Sequence, residues 1–452
     1  MTSPNYQFLS FVKYANFDKW DYKRYSETKV KSAYLVEPLG KHIVHQTTKV
    51  KLSDFPEERF GFLGVSNDTG MFDAYVEIGG KINQPYKKVE NGFIAYNPYR
   101  INVGSIGIKT ATLRNSYISP AYVVFSCRET LLPEYLFLLL KGNKFNQRVK
   151  EKTTGSVRQI LAYENLAEIE IPIPNLDVQN KLVHAYYNAV REAQQCEAEA
   201  SLLVQQIDAI LFSELGLKRT YRKIDNTSSF LQLVNLRDLS IWSVDYIQGE
   251  SSIDFVTTGK YQAVPANKFI LRAQYGLSEK AGKDEGGIPM LRMNNIMDSE
   301  IVLNNVKYLK CSKETLLKYT LNPGDLLFNR TNSKELVGKT AVFNLEGIYT
   351  FASYLVRVAI NPAIADVNFI NLLFNSGVLR PQIDLHSRQV LGQANLNATE
   401  MQSLLLFPLP PLDIQYAIVK QIEAVKASIA TKRTKANILR KEAYLKLDSE
   451  VY

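Results

Sequence analysis

At 452 residues the chain is long enough for two or three domains with separate cores. Its net charge of +9 favours a polyanionic partner, and 26 Tyr and 21 Phe supply flat contact surfaces, although charge alone is equally met by simple solubility. Cys127, Cys196 and Cys311 are too scattered for a metal-ligand pattern and fit a reduced compartment. With no N-terminal export signal and no apolar run of bilayer length, the sequence predicts a soluble, cytoplasmic protein.

The first domain, 1–175, opens on an aromatic-rich stretch and continues in short β-type runs broken by turns: GFLGVSNDTGMF, then AYVEIGGKINQPYKKVENGFIAYNPYRINVGSIGI, then SPAYVVFSC. Such spacing predicts a strongly bent, mixed sheet. A helix begins at Pro133, a residue suited to the first helical position, and a polar stretch around TTGSVRQ leads to Pro172 and Pro174.

From there a long helix is expected over 176–216. Leu182, Tyr186, Ala189, Ala193, Cys196, Ala200, Leu203, Ile207 and Ile210 fall at alternating steps of four and three, which is a heptad seam. A linker at 217–230, rich in Lys, Arg, Ser and Thr, separates the halves.

The second domain, 231–410, repeats the plan. GDLLFNRTNSKELVGKTAVF lines up with GFIAYNPYRINVGSIGI, matching Gly324 with Gly92, Asn329 with Asn97 and Gly338 with Gly104 after a two-residue insertion. Tyr354 matches Tyr122, and a Pro-x-Pro again leads into a helix, expected over 411–452. Its seam holds Ile418, Ile422, Val425, Ile429, Ala436, Leu439 and Ala443, interrupted by Lys432 and Lys446. Asp177 and Gln179 match Asp413 and Gln415. One unit is used twice, on loops that differ, which suggests two related binding tasks.

Each long helix has just under forty residues and would extend roughly 55–60 Å at about 1.5 Å per residue. The first is acidic (Glu192, Glu197, Glu199, Asp208, Glu214) and the second basic (Lys420, Lys426, Lys432, Arg433, Lys435, Arg440, Lys441), so they are expected to pair as an antiparallel coiled coil. A terminal core helix in each domain is the plainer alternative. The fold class expected is α+β: two mixed, β-rich domains, each followed by a long helix.

Three enzyme-like signals fail on their residues. Val337-Gly338-Lys339-Thr340 resembles the end of a phosphate-binding loop, but Ser333 stands where that loop needs glycine, and a hairpin turn explains Gly338. Asn97-Pro98-Tyr99 is similar to the Asn-Pro-Pro-Tyr motif of amino-methyltransferases, yet it lacks the second proline and any glycine-rich cofactor loop upstream. His42, His45, His184 and His386 are scattered and offer neither a metal set nor a triad.

At LRMNNI, at GDLLFNRTNSKELVGKTAVF and at the twice-used Pro-x-Pro followed by Leu-Asp-x-Gln, the sequence resembles the specificity subunits of type I restriction-modification systems, along the whole chain. The resemblance implies that each β-rich domain is a target recognition domain reading one half of a bipartite double-stranded DNA site. It implies that the paired helices act as a ruler and dock modification (methyltransferase) subunits, two of them, beside restriction (nuclease-translocase) subunits. The chain itself would be non-catalytic and bind no cofactor, with S-adenosylmethionine, ATP and Mg on the partner subunits. A regulatory or structural DNA-binding protein without a methyltransferase partner is the alternative.

Arg grips guanine O6 and N7 as a fork, and Asn or Gln pairs with adenine N6 and N7, so loops rich in these residues suit major-groove readout. In the second domain these are Asn329, Arg330, Asn332, Ser333 and Lys334, with Arg292, Asn294 and Asn295. In the first they are Ser66, Asn67, Lys81, Gln84, Lys87, Lys88, Asn97, Arg100 and Asn102. Arg158, and Arg388 with Gln393, precede the long helices and could clamp phosphate. Any one of these is equally a solvated or turn-capping side chain, and lysines suit phosphate better than bases.

Overall fold

The computed structural model describes residues 30–67, 69–101, 104–152, 160–218, 254–284, 286–390 and 392–452. Most of the expected linker lies outside these residues, as do Asn102 and Arg158. The chain forms two compact units, one taking residues up to Cys196 with Thr434–Tyr452, the other Glu197–Arg433.

In the first unit a four-stranded antiparallel sheet runs in the order Ile43–His45, Val123–Cys127, Ile94–Tyr96, Ile106–Ile108. The apolar run of helix Pro133–Lys141 buries Tyr135, Leu136, Leu138, Leu139 and Leu140 in the same core as Ile94, Tyr96, Ile106 and Phe125. Five more strands form a separate sheet, ordered Lys49–Val50, Tyr86–Lys88, Tyr117–Ile118, Arg59–Ser66, Gly70–Ile78. One bent sheet is expected from the sequence; the described residues of this unit form sheets of four and five strands beside a short two-stranded pair. Only the five-stranded sheet is mixed, through the parallel pairing of Phe62 with Tyr117, and the register of its long hairpin shifts between Phe62 and Leu63.

The second unit repeats the four-stranded sheet, with the same order and sense, as Ile270–Tyr275, Leu355–Ile360, Leu326–Asn329, Thr340–Val342. Helix Val367–Phe374 takes the place of Pro133–Lys141. The short pair Leu35–Pro38 with Glu170–Ile173 recurs as Ala263–Pro265 with Leu406–Pro408. The glycines matched in sequence have matching backbones: φ is 82° at Gly92 and 90° at Gly324, and 85° at both Gly104 and Gly338. That left-handed region favours glycine. At Gly338 an added Cβ would also meet Ile383 at 2.7 Å.

The long helices are Leu176–Glu214 and Leu412–Val451, and they pair. Within the first unit Ala193, Cys196 and Ala436 pack together, Tyr186 meets Tyr444 edge-on, and Lys435 pairs with Glu192 at 2.7 Å. Within the second, Lys432 pairs with Glu199 at 2.5 Å. Rising numbers on one helix meet falling numbers on the other, so the pairing is antiparallel, and the charge difference read from sequence is used across it. Lys432, which interrupts the apolar seam, is answered by a carboxylate rather than left buried alone.

The seam departs from strict heptads at the C-terminal ends. Leu211 and Leu215 are fully buried where Ile210 is only half-buried, and Leu447 with Val451 replaces the position of exposed Lys446. Steps of four suit a helix of 3.6 residues per turn once it leaves the coil. These ends belong to domain cores, Leu211 and Leu215 with Phe255 and Phe369, Leu447 and Val451 with Phe145 and Leu182. Coiled coil and core helix are successive parts of one element.

Candidate nucleic-acid interface

The strand pair Leu326–Asn329 and Thr340–Val342 brackets the polar loop of the second unit. Asn329 N–H donates to the Lys339 carbonyl and Gly338 N–H returns to the Asn329 carbonyl, closing the hairpin without a phosphate-binding turn. Burial, followed by the charge of Arg380, lowers the Lys339 pKa. Arg380 holds the loop from below, donating to the Lys334, Glu335 and Val337 carbonyls while paired with Asp384.

Thr331–Asn332 then pairs with Gln393–Asn395, which pairs with Arg388–Val390. Arg330, Asn332, Arg388 and Gln393, separated by about sixty residues of sequence, are therefore brought to one small sheet and its edge. Asn395 Nδ2 bonds Thr331 Oγ1 at 2.5 Å, fixing the strand that carries them. Arg388 is tied to Glu400 at 2.5 Å. Lys334, Arg388 and Gln393 are exposed, and Arg330, Asn332 and Ser333 half-exposed.

The same bracket in the first unit, Ile94–Tyr96 and Ile106–Ile108, holds Asn97 and Arg100. Asn97 Oδ1 accepts the Tyr99 N–H at 3.0 Å, turning the loop so that Tyr99 and Arg100 are exposed. Beside it lies the turn Ser66–Gly70, whose Asn67 Cβ is 3.9 Å from the Cβ that Gly104 lacks. Lys141 donates to the Asn67 and Gly104 carbonyls, both at 3.1 Å. The corresponding helix of the second unit carries Asn375, which bonds Thr340 N–H and its carbonyl. In each unit a side chain at the helix end holds this turn, at Gly104 itself in the first and at Thr340, two residues after Gly338, in the second.

Other residues of the expected set are apart from these loops. Lys81 and Gln84 follow Ile78, which pairs with Arg59 at the far end of the hairpin from Ser66 and Gly70. Eight residues at about 3.3 Å each put roughly 25 Å between the ends. Lys81 pairs with Glu77 at 3.7 Å, Lys88 with Glu90 at 3.6 Å, and Gln84 donates to the Tyr86 hydroxyl.

Three side chains point inward. Lys87 is buried and donates to the Tyr122 carbonyl at 2.8 Å; burial, then nearby Lys49, lowers its pKa. Asn295, fully buried, caps its own turn by accepting the Arg292 N–H and donates to the Val302 and Asn304 carbonyls. Asn329 is 1% exposed. The Lys87 and Asn295 side chains thus hold backbone, and none of the three presents a polar edge to solvent. Arg292 donates to the Asn305 carbonyl, while Asn294 next to it is exposed.

Sequence reasoning missed Tyr275. It ends strand Ile270–Tyr275, is 41% exposed, and its ring lies 4.9 Å from the Arg330 guanidinium. Nothing in FILRAQY marks it as part of a site 55 residues away; only the sheet order reveals it. Exposed Tyr354, whose carbonyl accepts the Arg330 N–H, was matched to Tyr122 by repeat but not assigned to the loop.

Among the described residues no group of three His, Cys, Asp or Glu side chains is placed to hold a metal. No described helix is long and apolar enough to cross a membrane.

The sequence pattern of the type I restriction modification DNA specificity domain matches residues 63–191 and 270–440, about two thirds of the chain. The chain belongs to this family. Both matched segments contain the bracketed loops, and each runs on into a long helix.

A protein assigned as the MjaX type I restriction enzyme specificity subunit of Methanocaldococcus jannaschii is 29% identical over 170 residues, 37% of this chain and 39% of that one. The StySPI specificity subunit of Salmonella potsdam is 21% identical over 308 residues, 68% of this chain and 61% of that one. The matches thus span about two fifths to three fifths of those relatives' lengths. A solved structure, described as the structural basis of complex assembly and conformational transition of the type I R-M system, superposes at TM-score 0.59 with 15% identity. It covers 94% of this chain and 99% of that one, a likeness of fold.

Proposed function

We propose that this specificity-family chain is the DNA-reading subunit of a type I restriction-modification enzyme, with each recognition domain reading one half of a bipartite duplex site. The observation that carries this reading is the repeated frame with unlike loops: the same four strands, left-handed glycines and short strand pair recur, while Asn97–Arg100 and Arg330–Lys334 differ. A frame kept twice with its exposed polar loops changed suits two half-sites of different sequence.

On this reading Asn97, Arg100, Ser66 and Asn67 form the reading edge of the first domain, and Arg330, Asn332, Lys334, Arg388 and Gln393 that of the second. Lys81, Gln84 and Lys88 serve phosphate, Lys87 and Asn295 support backbone, and Asn329 closes the hairpin through its own N–H and carbonyl. The paired helices set the half-site spacing and dock methyltransferase subunits; restriction subunits join that assembly. The chain contributes recognition without catalysis, and S-adenosylmethionine, ATP and Mg act on the partners.

Co-expression of the full chain with the methyltransferase subunit tests the reading. A stable complex that methylates duplex DNA at one bipartite sequence is expected. DNA binding by the chain with no methyltransferase association would point instead to a regulatory DNA-binding protein.

A further inference from the structure

Resting on the DNA-reading function proposed above, we infer that Arg330 reads a guanine of the second half-site and that Tyr275 is the positioning residue that sets the plane of its guanidinium. Every part of Arg330 except its outer edge is held. The backbone N–H donates to the Tyr354 carbonyl at 3.0 Å, and the carbonyl accepts the Leu396 N–H at 2.9 Å. Nε donates to the Ser353 carbonyl at 2.8 Å, and the guanidinium lies against the Tyr275 ring at 4.9 Å. Tyr275 is fixed in turn, its hydroxyl accepting the Ala398 N–H at 3.1 Å.

Among the described residues neither Nη atom of Arg330 has a hydrogen-bond partner in the protein. By contrast Arg380 uses both Nη atoms, on loop carbonyls and Asp384, and Arg292 and Arg388 each use one, on the Asn305 carbonyl and on Glu400. Arg330 thus presents two parallel donors in an orientation set by a ring face and a carbonyl. Guanine offers two acceptors, O6 and N7, on one edge; adenine puts a donor beside its N7 and rejects the fork. A phosphate also accepts a guanidinium but does not require this fixed plane, and exposed Lys334 on its flexible stem suits that task.

The test uses the full-length chain and a pool of randomised duplexes at fixed salt, followed by selected duplexes in which each guanine is replaced singly by 7-deazaguanine, which lacks the N7 acceptor. Wild type should lose affinity on the order of tenfold at one guanine of one half-site. Arg330→Lys, which keeps charge but not the fork, should remove that sensitivity and the preference at that position alone. Tyr275→Leu should do the same, and Tyr275→Phe, which keeps the ring, should restore most of it; thermal melts of all three confirm folding. Uniform weakening on every duplex would assign Arg330 to phosphate, and unchanged preference in Arg330→Lys or Tyr275→Leu would likewise overturn the pair. A wild-type chain that selects no sequence at all would instead sink the DNA-reading function itself, and the pair with it.

Discussion

Gln179 and Gln415 make the same three hydrogen bonds at the same joint, each in its own unit. Gln179 Oε1 accepts the Leu132 N–H at 2.8 Å, and Nε2 donates to the Thr130 and Pro174 carbonyls at 3.0 and 2.8 Å. Gln415 Oε1 accepts the Asp366 N–H at 2.8 Å, and Nε2 donates to the Ile364 and Pro410 carbonyls at 3.2 and 2.8 Å. Both are 0% exposed. One buried amide fastens the start of the domain helix to the start of the long helix.

Removing that amide strands one buried N–H and two carbonyls. Gln179→Ala or Gln415→Ala should cost about 1–3 kcal/mol, and Gln→Glu at least as much at neutral pH, because a carboxylate cannot donate to the carbonyls. Thermal unfolding of each variant measures the loss. An unchanged melt in both alanine variants would show that the joint is not structural.

The helix seam offers a second measurement. Ala200 is 1% exposed on the paired face, so Ala200→Glu forces a carboxylate into an apolar contact or splays the helices. A loss of about 2–3 kcal/mol is expected, with weakened capture of the methyltransferase subunit. If stability and capture both match wild type, the seam lies elsewhere on the helix.

Much of this was legible because repetition exposes what a frame requires. The Asn97–Asn329, Gly104–Gly338 and Gln179–Gln415 matches each identify a position whose backbone or buried hydrogen bonds recur, and Ala193, Ala200, Ile422 and Ala436, which the heptad spacing singles out, are buried. Sheet partition was not legible, because the parallel pairing of Phe62 with Tyr117 joins segments with no local signal between them. Side-chain direction was not legible either. Lys87 and Lys88 read alike in sequence, yet strand alternation buries one ammonium on a carbonyl and exposes the other.

A turn in the second unit carries strain that can be relieved. Asp298 and Ser299 connect strands Ile296–Met297 and Glu300–Ile301 with φ of 50° and 69°, where Asn-Gly is the preferred pair. Ser299→Gly should raise stability by about 1 kcal/mol, since the left-handed conformation costs other residues roughly that much. Asp298 is better kept, as its carboxylate faces Arg433 at 3.8 Å. A lower melting temperature in Ser299→Gly would contradict the strain.

Acid should weaken the first unit through His45. Its ring stacks on Tyr163 at 4.1 Å, and its pKa is lowered chiefly by burial, then by Lys87, against a smaller opposing pull from Glu164. A histidine whose folded pKa is depressed takes up its proton more readily when unfolded. Its contribution is therefore present above the unfolded value of about 6.5 and is lost as pH falls through the folded one. Melts between pH 7.5 and 5 should show a shallower decline in His45→Phe than in wild type. Equal slopes would remove His45 from the acid response.

The most direct measurement of the central claim is a genome-wide map of methylated bases in cells carrying this chain with its methyltransferase subunit, compared with the same cells carrying Arg330→Lys. A single bipartite sequence is expected for wild type, two specific halves around an unspecific gap, and in the variant relaxation at one position of one half while the other half and the gap stay as they were. A map with no bipartite pattern, or one in which both halves change together, would contradict it.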